Sequence, residues 1–387
     1  MDQIFAVRQL CEKYLGVNRE VYMAFMDLEK AYDRIDRNAL WQVLRIYGVG
    51  GNLLRAVQSF YDESRACVRG ESGVSEWFDV NVGLRQGCVM SPWLFNMYMD
   101  GVVREVNERV LGRGVELVGQ EGVVWRVNQL LYADDTVLIG NSREDLQRLL
   151  NEFDTVCKRR KLKVNVGKSK VMVCGRTERR GNLDLSLNGE LLEEVDSFKY
   201  LGSIVSKNGD VVEDVISRVN EGAKVSGALS KIWRVGSFGI GVKRMMYERI
   251  VVPTVIYGAE AWWLKAGAKK RLNVFEMKCL RKICGVTVMD RIRNEVIREE
   301  VGVMRDLAGR AECCVLRWFG HVERMDGERM AKRIYDSGVD GRRGRGRPNM
   351  GWMEGVKSAL RNRGLTLEQA REFVHERSVW RGWINGV

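Results

Sequence analysis

Apolar positions recur along the first 210 residues with two alternating periods. Residues 3–16 carry Ile4, Val7, Leu10 and Leu15 at near-helical spacing. "VYMAFMDL" (21–28) reads as a strand and "RNALWQVLRIYGV" as a helix. Residues 91–106 read as a helix with Pro92 in its first turn. Ser142 predicts a helix N-cap with Asp145 three residues on, after which Leu146, Leu149, Leu150, Phe153, Val156 and Cys157 share one face. "LKVNV" (162–166) alternates as a strand, and "LDLSLNGELL" (183–192) alternates around Asn188-Gly189, a hairpin signal. "FKYLGSIV" reads as one more strand, ending at the Asn208-Gly209 turn. Beyond 210 the strand signals fade. Val212, Val215, Ile216, Val219 and Ala223 form a helix face, and helical patterns continue through 240–310.

This order predicts an α+β unit followed by a helical region. From about 317 the chain turns Arg-rich and peaks at "GRRGRGRP" (341–348), where arginines between glycines predict a mobile basic segment. Trp352, Trp380 and Trp383 follow in what reads as a short helical tail.

Composition narrows the function classes. The chain has 387 residues, 45% of them hydrophobic, and 63 Lys and Arg against 51 Asp and Glu, for a net charge of +12. Such a surplus favours a polyanionic partner, nucleic acid first and an anionic membrane second. The 9 cysteines include no CxxC pair and read as reduced thiols, and "MDQIFAVRQL" lacks a signal-peptide layout. An intracellular protein, nuclear or cytoplasmic and not secreted, is expected. Two histidines are too few for a His-rich metal site. Cys279, Cys284, Cys313, Cys314 and His321 do not match zinc-knuckle spacing and are expected to be ordinary thiols and an ordinary imidazole. "IVVPTVIYGAEAWWL" (250–264) is too short to span a bilayer and contains Glu260.

The candidate chemistry lies in three acidic positions. Asp27 ends the first strand, and "LLYADDTVLIG" (130–140) sets Asp134 and Asp135 between apolar flanks. A hairpin with its apex at that pair would expose the two carboxylates while burying Leu130, Leu131, Val137 and Ile139. If strand 22–27 lies beside it, three carboxylates meet. Carboxylates crowded in this way repel unless protonated or neutralised by a cation. Two Mg²⁺ ions would neutralise them and clamp the attacking and leaving oxygens of an in-line phosphoryl transfer. Taken singly, an Asp pair at a turn and an Asp at a strand end are both ordinary.

Taken with their flanks they are not. "FMDLEKAYDRI", "GLRQGCVMSPWLFNMYM" and "YADD", in this order, resemble the reverse transcriptase family, and the details of the blocks resemble its non-LTR (LINE-type) retrotransposon branch. The likeness continues through "LKVNVGKSKVMV" and "FKYLGSIVSKNG" to "RWFGHVERM" and "GRRGRGRPNMGWMEGVK". It implies a right-hand polymerase palm with partial fingers (1–205), a helical thumb-like region (206–310) and a basic C-terminal region (311–387). It further implies an RNA-directed DNA polymerase using an RNA template, a DNA primer, dNTPs and two Mg²⁺.

By position, Asp27, Asp134 and Asp135 match the catalytic metal ligands. Tyr32 matches the aromatic that crowds the sugar 2′ position, or is simple packing. Gln86 and Gly87 match the block contacting nucleotide and template, or are ordinary turn residues. Lys168 matches a lysine near the triphosphate, or is solvated. Phe198, Tyr200, Leu201 and Gly202 match the primer-grip hairpin, or belong to a core strand. Arg342, Arg343, Arg345 and Arg347 would hold nucleic-acid backbone. Glu29, Asp33 and Asp36 are expected on a solvated helix start.

In the family a basic fingers region precedes the first block, whereas here only residues 1–20 precede the first catalytic strand. An upstream endonuclease is also missing. The chain therefore resembles an N-terminally truncated element. A catalytically inactive nucleic-acid-binding remnant is the alternative, and an RNA-directed RNA polymerase a third reading that Tyr32 opposes.

Overall fold

The structure, a computed structural model, describes all residues except 72, 120–121, 176–181, 342–350 and 387. Helix α1 (Asp2–Gly16) leads into strand β1 (Val21–Met26) and helix α2 (Arg37–Ile46). Helix α3 (Ser91–Arg109), with Pro92 in its first turn, and the hairpin β2 (Gln129–Tyr132) and β3 (Asp135–Gly140) follow. Next come α4 (Arg143–Arg159), β4 (Lys170–Cys174) and β5 (Glu193–Glu194). The central sheet has the order β5-β4-β1-β3-β2 and is antiparallel except at β4/β5.

β1 sits mid-sheet and is covered on both faces, which explains its unbroken apolar run. Ala24 and Met26 face a core built with α3 and α4, while Val21, Met23 and Phe25 face a second core that includes α1. α4 starts as its sequence predicts: the Ser142 side chain accepts from the Asp145 N–H. Glu144 and Asp145 in its first turn and Lys158 and Arg159 in its last complement the helix dipole.

Two strand expectations need correction. Residues 162–166 do not form a ladder. Leu162 and Val164 are buried as the alternation requires, but Val164 makes only an isolated bridge to Leu28. The strand is β4, just downstream, pairing Val21 with Cys174 through Phe25 with Lys170. "FKYLGSIV" is two strands: β6 (Ser197–Tyr200) and β7 (Ser203–Ser206) fold back around Leu201 and Gly202, both with positive φ. The turn at Asn188-Gly189 forms as expected, between Ser186–Leu187 and Glu190–Leu191.

The helical region contains α5 (Val212–Ala228) and α6 (Ala266–Cys284), within a core that runs from Val211 to Cys314. The C-terminal stretch is not a tail. α7 (Leu307–Glu323), α8 (Trp352–Arg361) and α9 (Arg377–Asn385) close a core of their own in which Trp318, Phe319, Trp352 and Trp380 are buried, joined by Ile4 and Phe5 of α1. α1 thus packs against the sheet on one side and the C-terminal helices on the other, which is why nearly all of its circumference is buried. Among the described residues no helix is long and apolar enough to cross a membrane.

Asp214 of α5 is fully buried and ties these parts together. It accepts from Arg8 Nη2 of α1 (2.7 Å), Ser203 Oγ (2.7 Å) and the Ile204 N–H (2.8 Å) of β7, and Trp262 Nε1 (2.7 Å). Burial lowers the Arg8 pKa from its ordinary value and the Asp214 charge opposes that shift.

Candidate active site

β-Sheet register brings the acidic positions together. β1 pairs with β3 from Tyr22↔Gly140 to Met26↔Thr136, and one further step sets Asp27 opposite Asp135. On its other side β1 pairs with β4 as far as Phe25↔Lys170, beyond which residues 165–169 turn beside Asp27. The Lys168 Nζ lies 4.0 Å from an Asp27 carboxylate oxygen, with both side chains substantially exposed. β2 and β3 are joined through Ala133 and Asp134, with Tyr132 paired to Asp135. Ala133 takes φ 56°, a left-handed conformation that a non-glycine residue adopts only at some cost.

The apolar flanks anchor this apex. Leu130, Val137 and Ile139 are buried, and Leu131 is half-buried. The Asp135 carboxyl is raised above the ordinary carboxylate range, first by partial withdrawal from water and then by repulsion from Asp134 and Asp27. Asp134 and Asp27 thus lie within electrostatic reach of Asp135. Among the described residues no group of three His, Cys, Asp or Glu side chains is close enough to hold a metal ion by itself. The donor set nonetheless suits a hard divalent cation. It offers carboxylate oxygens at solvent-accessible positions with Lys168 the one cation paired to them among the described residues, and Mg²⁺ takes only one or two carboxylates and completes its shell with water and phosphate.

Asp27 is positioned by a turn that the sequence reading passed over. Its N–H donates to Ser169 Oγ (3.1 Å), and its carbonyl accepts from the Asn165 N–H (2.8 Å). Ser169, fully buried, donates through its hydroxyl to the Asn165 carbonyl (2.8 Å), and Asn165 Oδ1 accepts from the Lys168 N–H (3.2 Å). One turn thus sets both Asp27 and Lys168. The pattern Asn-x-Gly-x-Ser immediately after an extended stretch was the available signal.

Tyr32 stacks on Phe95 of α3, with centroids 4.3 Å apart and planes at 13°. Its hydroxyl pKa is raised by partial burial and then by the Asp134 charge. Beside it opens a cleft of about 580 Å³ whose lining includes Tyr32, Asn96, Met99, Leu131, Tyr132 and Ala133. Gln86 is exposed and donates to Asp33 Oδ1 (3.0 Å). Asp33 therefore has a partner beyond solvent, as does Asp36, which caps α2 through the Ala39 N–H and pairs with Lys161. Glu29 pairs with Lys163 (3.0 Å) and Arg34 (3.2 Å). The helix start is solvated as expected, and its acidic side chains also hold partners there.

Gly87 has φ 83° in open space, whereas Gly83, with φ 80°, lies against the Asp33 backbone, where a Cβ would fall 2.8 Å from its carbonyl oxygen. Gly83→Ala is expected to destabilise by about 2–3 kcal/mol and to displace Asp33 from Gln86, while Gly87→Ala should cost about 1 kcal/mol. Urea unfolding midpoints check this; an equal or larger loss for Gly87→Ala would contradict the close contact.

The β6/β7 hairpin lies on the α1 face of the sheet. Phe198 stacks on Phe25 (4.3 Å, 18°), and Tyr200 is buried against the same ring at 5.8 Å. Among the described residues the Tyr200 hydroxyl has no hydrogen-bond partner, and burial followed by the Asp135 charge raises its pKa. Leu201 and Gly202 form the tip. The Leu201 carbonyl accepts from Tyr257 Oη (2.9 Å), and the Tyr257 ring carries the Arg218 guanidinium 4.7 Å from its centroid. Arg342, Arg343, Arg345 and Arg347 lie outside the described residues.

Residues 3–205 match the family profile described as reverse transcriptase (RNA-dependent DNA polymerase). A transposon-derived protein of Caenorhabditis elegans is 26% identical over 207 residues, 51% of this chain and 72% of that one. The Pol polyprotein of the type-2 retrotransposable element R2DM of Drosophila melanogaster is 30% identical over 134 residues, 35% of this chain and 12% of that one. The RNA-directed DNA polymerase of the Drosophila melanogaster mobile element jockey is 24% identical over 284 residues, 70% of this chain and 29% of that one. The chain therefore spans under a third of either named element's protein.

Proposed function

Because the chain belongs to the reverse transcriptase family, we propose that it is the RNA-directed DNA polymerase of a non-LTR retrotransposon, extending a DNA primer along an RNA template from dNTPs. The observation that carries this reading is the register that sets Asp27 opposite Asp135, beside the Asp134 turn. Asp27 and Asp134, with Asp135 beside them, would hold two Mg²⁺. Those ions would neutralise the triphosphate and polarise the oxygens exchanged at its α-phosphorus.

The chain's own residues orient the reactants. Lys168, held near Asp27 by the Asn165–Ser169 turn, offers a cation to the triphosphate. Tyr32, its ring fixed by Phe95, presents an aromatic wall beside the carboxylates where the sugar would lie. Gln86, steadied by Asp33, reaches the nucleotide and template. Phe198, Tyr200, Leu201 and Gly202 form the hairpin that supports the primer end. The mobile-element names of the relatives favour RNA and DNA as partners over a membrane surface. We place the chain inside the cell, nuclear or cytoplasmic, a location that its nine free cysteines suit.

Nucleotide choice tests the assignment. On poly-rA/oligo-dT with Mg²⁺, dTTP is expected to be incorporated in preference to UTP, and Tyr32→Ala should raise relative UTP use by about tenfold or more. Preference for UTP by the unaltered chain would instead indicate an RNA-directed RNA polymerase.

A further inference from the structure

The C-terminal helices leave an arginine-lined cleft that the polymerase reading does not use. Arg317, His321 and Arg324 lie along one face of α7 and its end, and Arg377, Trp380 and Arg381 along one face of α9. The space between them is about 800 Å³. The two helices approach closely at Gly320, where a Cβ would fall 2.2 Å from Trp380 Nε1. Trp380 is buried as the floor and donates to the Leu316 carbonyl (3.2 Å), and Trp383 stacks on it at 5.1 Å and 18°.

Charge in this cleft is unbalanced. Nearby arginines outside the cleft are paired, Arg310 with Glu248, Arg363 with Glu312 and Arg371 with Glu323. Among the described residues, Arg317, Arg377 and Arg381 meet no carboxylate within ion-pair distance. Burial lowers the His321 pKa, with Arg329, Arg324 and Arg377 pushing the same way and Asp2 opposing. Converging guanidiniums without counter-charge are relieved by an anion, and their planar forks match phosphate oxygens in pairs. The concavity suits a flexible strand rather than a rigid duplex, and adjacent indoles and guanidiniums are the surfaces on which unpaired bases stack.

We propose that the cleft between α7 and α9 is a second nucleic-acid site, taking the phosphodiester backbone of a single strand between Arg317, Arg324, Arg377 and Arg381. It goes beyond the polymerase reading and does not depend on catalysis. The test is fluorescence anisotropy of the full chain with labelled single-stranded RNA, single-stranded DNA of the same sequence, an RNA duplex, a phosphoserine peptide and anionic vesicles. Arg377→Gln/Arg381→Gln is expected to weaken single-strand binding about tenfold at 0.15 M salt and to flatten the log–log salt slope by about 1.4, two phosphates at roughly 0.7 each. Loss for RNA and DNA alike indicates backbone recognition, and loss for RNA alone a contact to the 2′-hydroxyl; either supports the site.

Unchanged affinity and slope, or a loss confined to the duplex, peptide or vesicles, would overturn it. His321 supplies a local check, since His375 is the only other imidazole in the chain. Its titration midpoint by NMR should rise when the single strand binds to the unaltered chain. A midpoint unmoved at saturating single strand also overturns the proposal.

Discussion

Asp134→Asn is expected to lower primer extension by about a thousandfold or more while leaving the fold intact. The carboxylate lies at the β2/β3 turn and takes no part in the buried core. Its loss removes one of the two carboxylates that would be shared by the ions, and ion-mediated charge stabilisation amounts to several kcal/mol of the barrier, with each 1.4 kcal/mol a factor of ten. Asp27→Asn should act in the same way and to a similar extent. Combining the two should cost far less than the product of the single losses, because both serve one site. Single-turnover extension at saturating Mg²⁺ and dTTP measures this. Activity in Asp134→Asn within tenfold of the unaltered chain would remove the carboxylates from the chemistry.

Asp214→Asn is expected to be the most damaging change far from the carboxylates. It leaves Arg8 buried without its counter-charge and weakens the acceptor shared by Ser203, Ile204 and Trp262. Breaking one side of a buried pair costs about 3–5 kcal/mol, and in a chain of this size that corresponds to a Tm fall of roughly 5 °C or more. Arg8→Gln/Asp214→Asn should fall less than the sum of the two single changes, since neither charge is then stranded. The β6/β7 hairpin hangs on this node, so KM for the primer should rise in Asp214→Asn more than kcat falls. Additive Tm losses, or no loss at all, would contradict the coupling.

The strand and hairpin that carry the three carboxylates were legible because each is encoded in a local apolar pattern. Strand 21–26 ends at Asp27, and the apolar flanks of Asp134 and Asp135 force a hairpin. Three features escaped, each for a physical reason. Residues 162–166 alternate in burial as a strand would, but Val21 pairs with Cys174, so the ladder runs through 170–174 instead. The turn at Leu201-Gly202 was hidden because leucine, an apolar residue, occupies a left-handed position that turn chemistry assigns to asparagine or glycine. The Asp214 node and the α7/α9 cleft join side chains far apart in the chain, Arg8 with Asp214 and Arg317 with Arg381, and helical periodicity carries no information about such partners. The contacts of Gln86 with Asp33 and of Lys168 with Asp27, the latter set by the Asn165–Ser169 turn, join positions distant in the chain and needed the structure.

Incorporation of dTTP by the purified 387-residue chain on oligo-dT annealed to poly-rA tests the central claim most directly. Template-dependent extension that requires Mg²⁺, stops on chelation and resumes when the ion is restored is the predicted result. Tight, salt-sensitive RNA binding without any incorporation would contradict it and leave a nucleic-acid-binding protein with no polymerase activity.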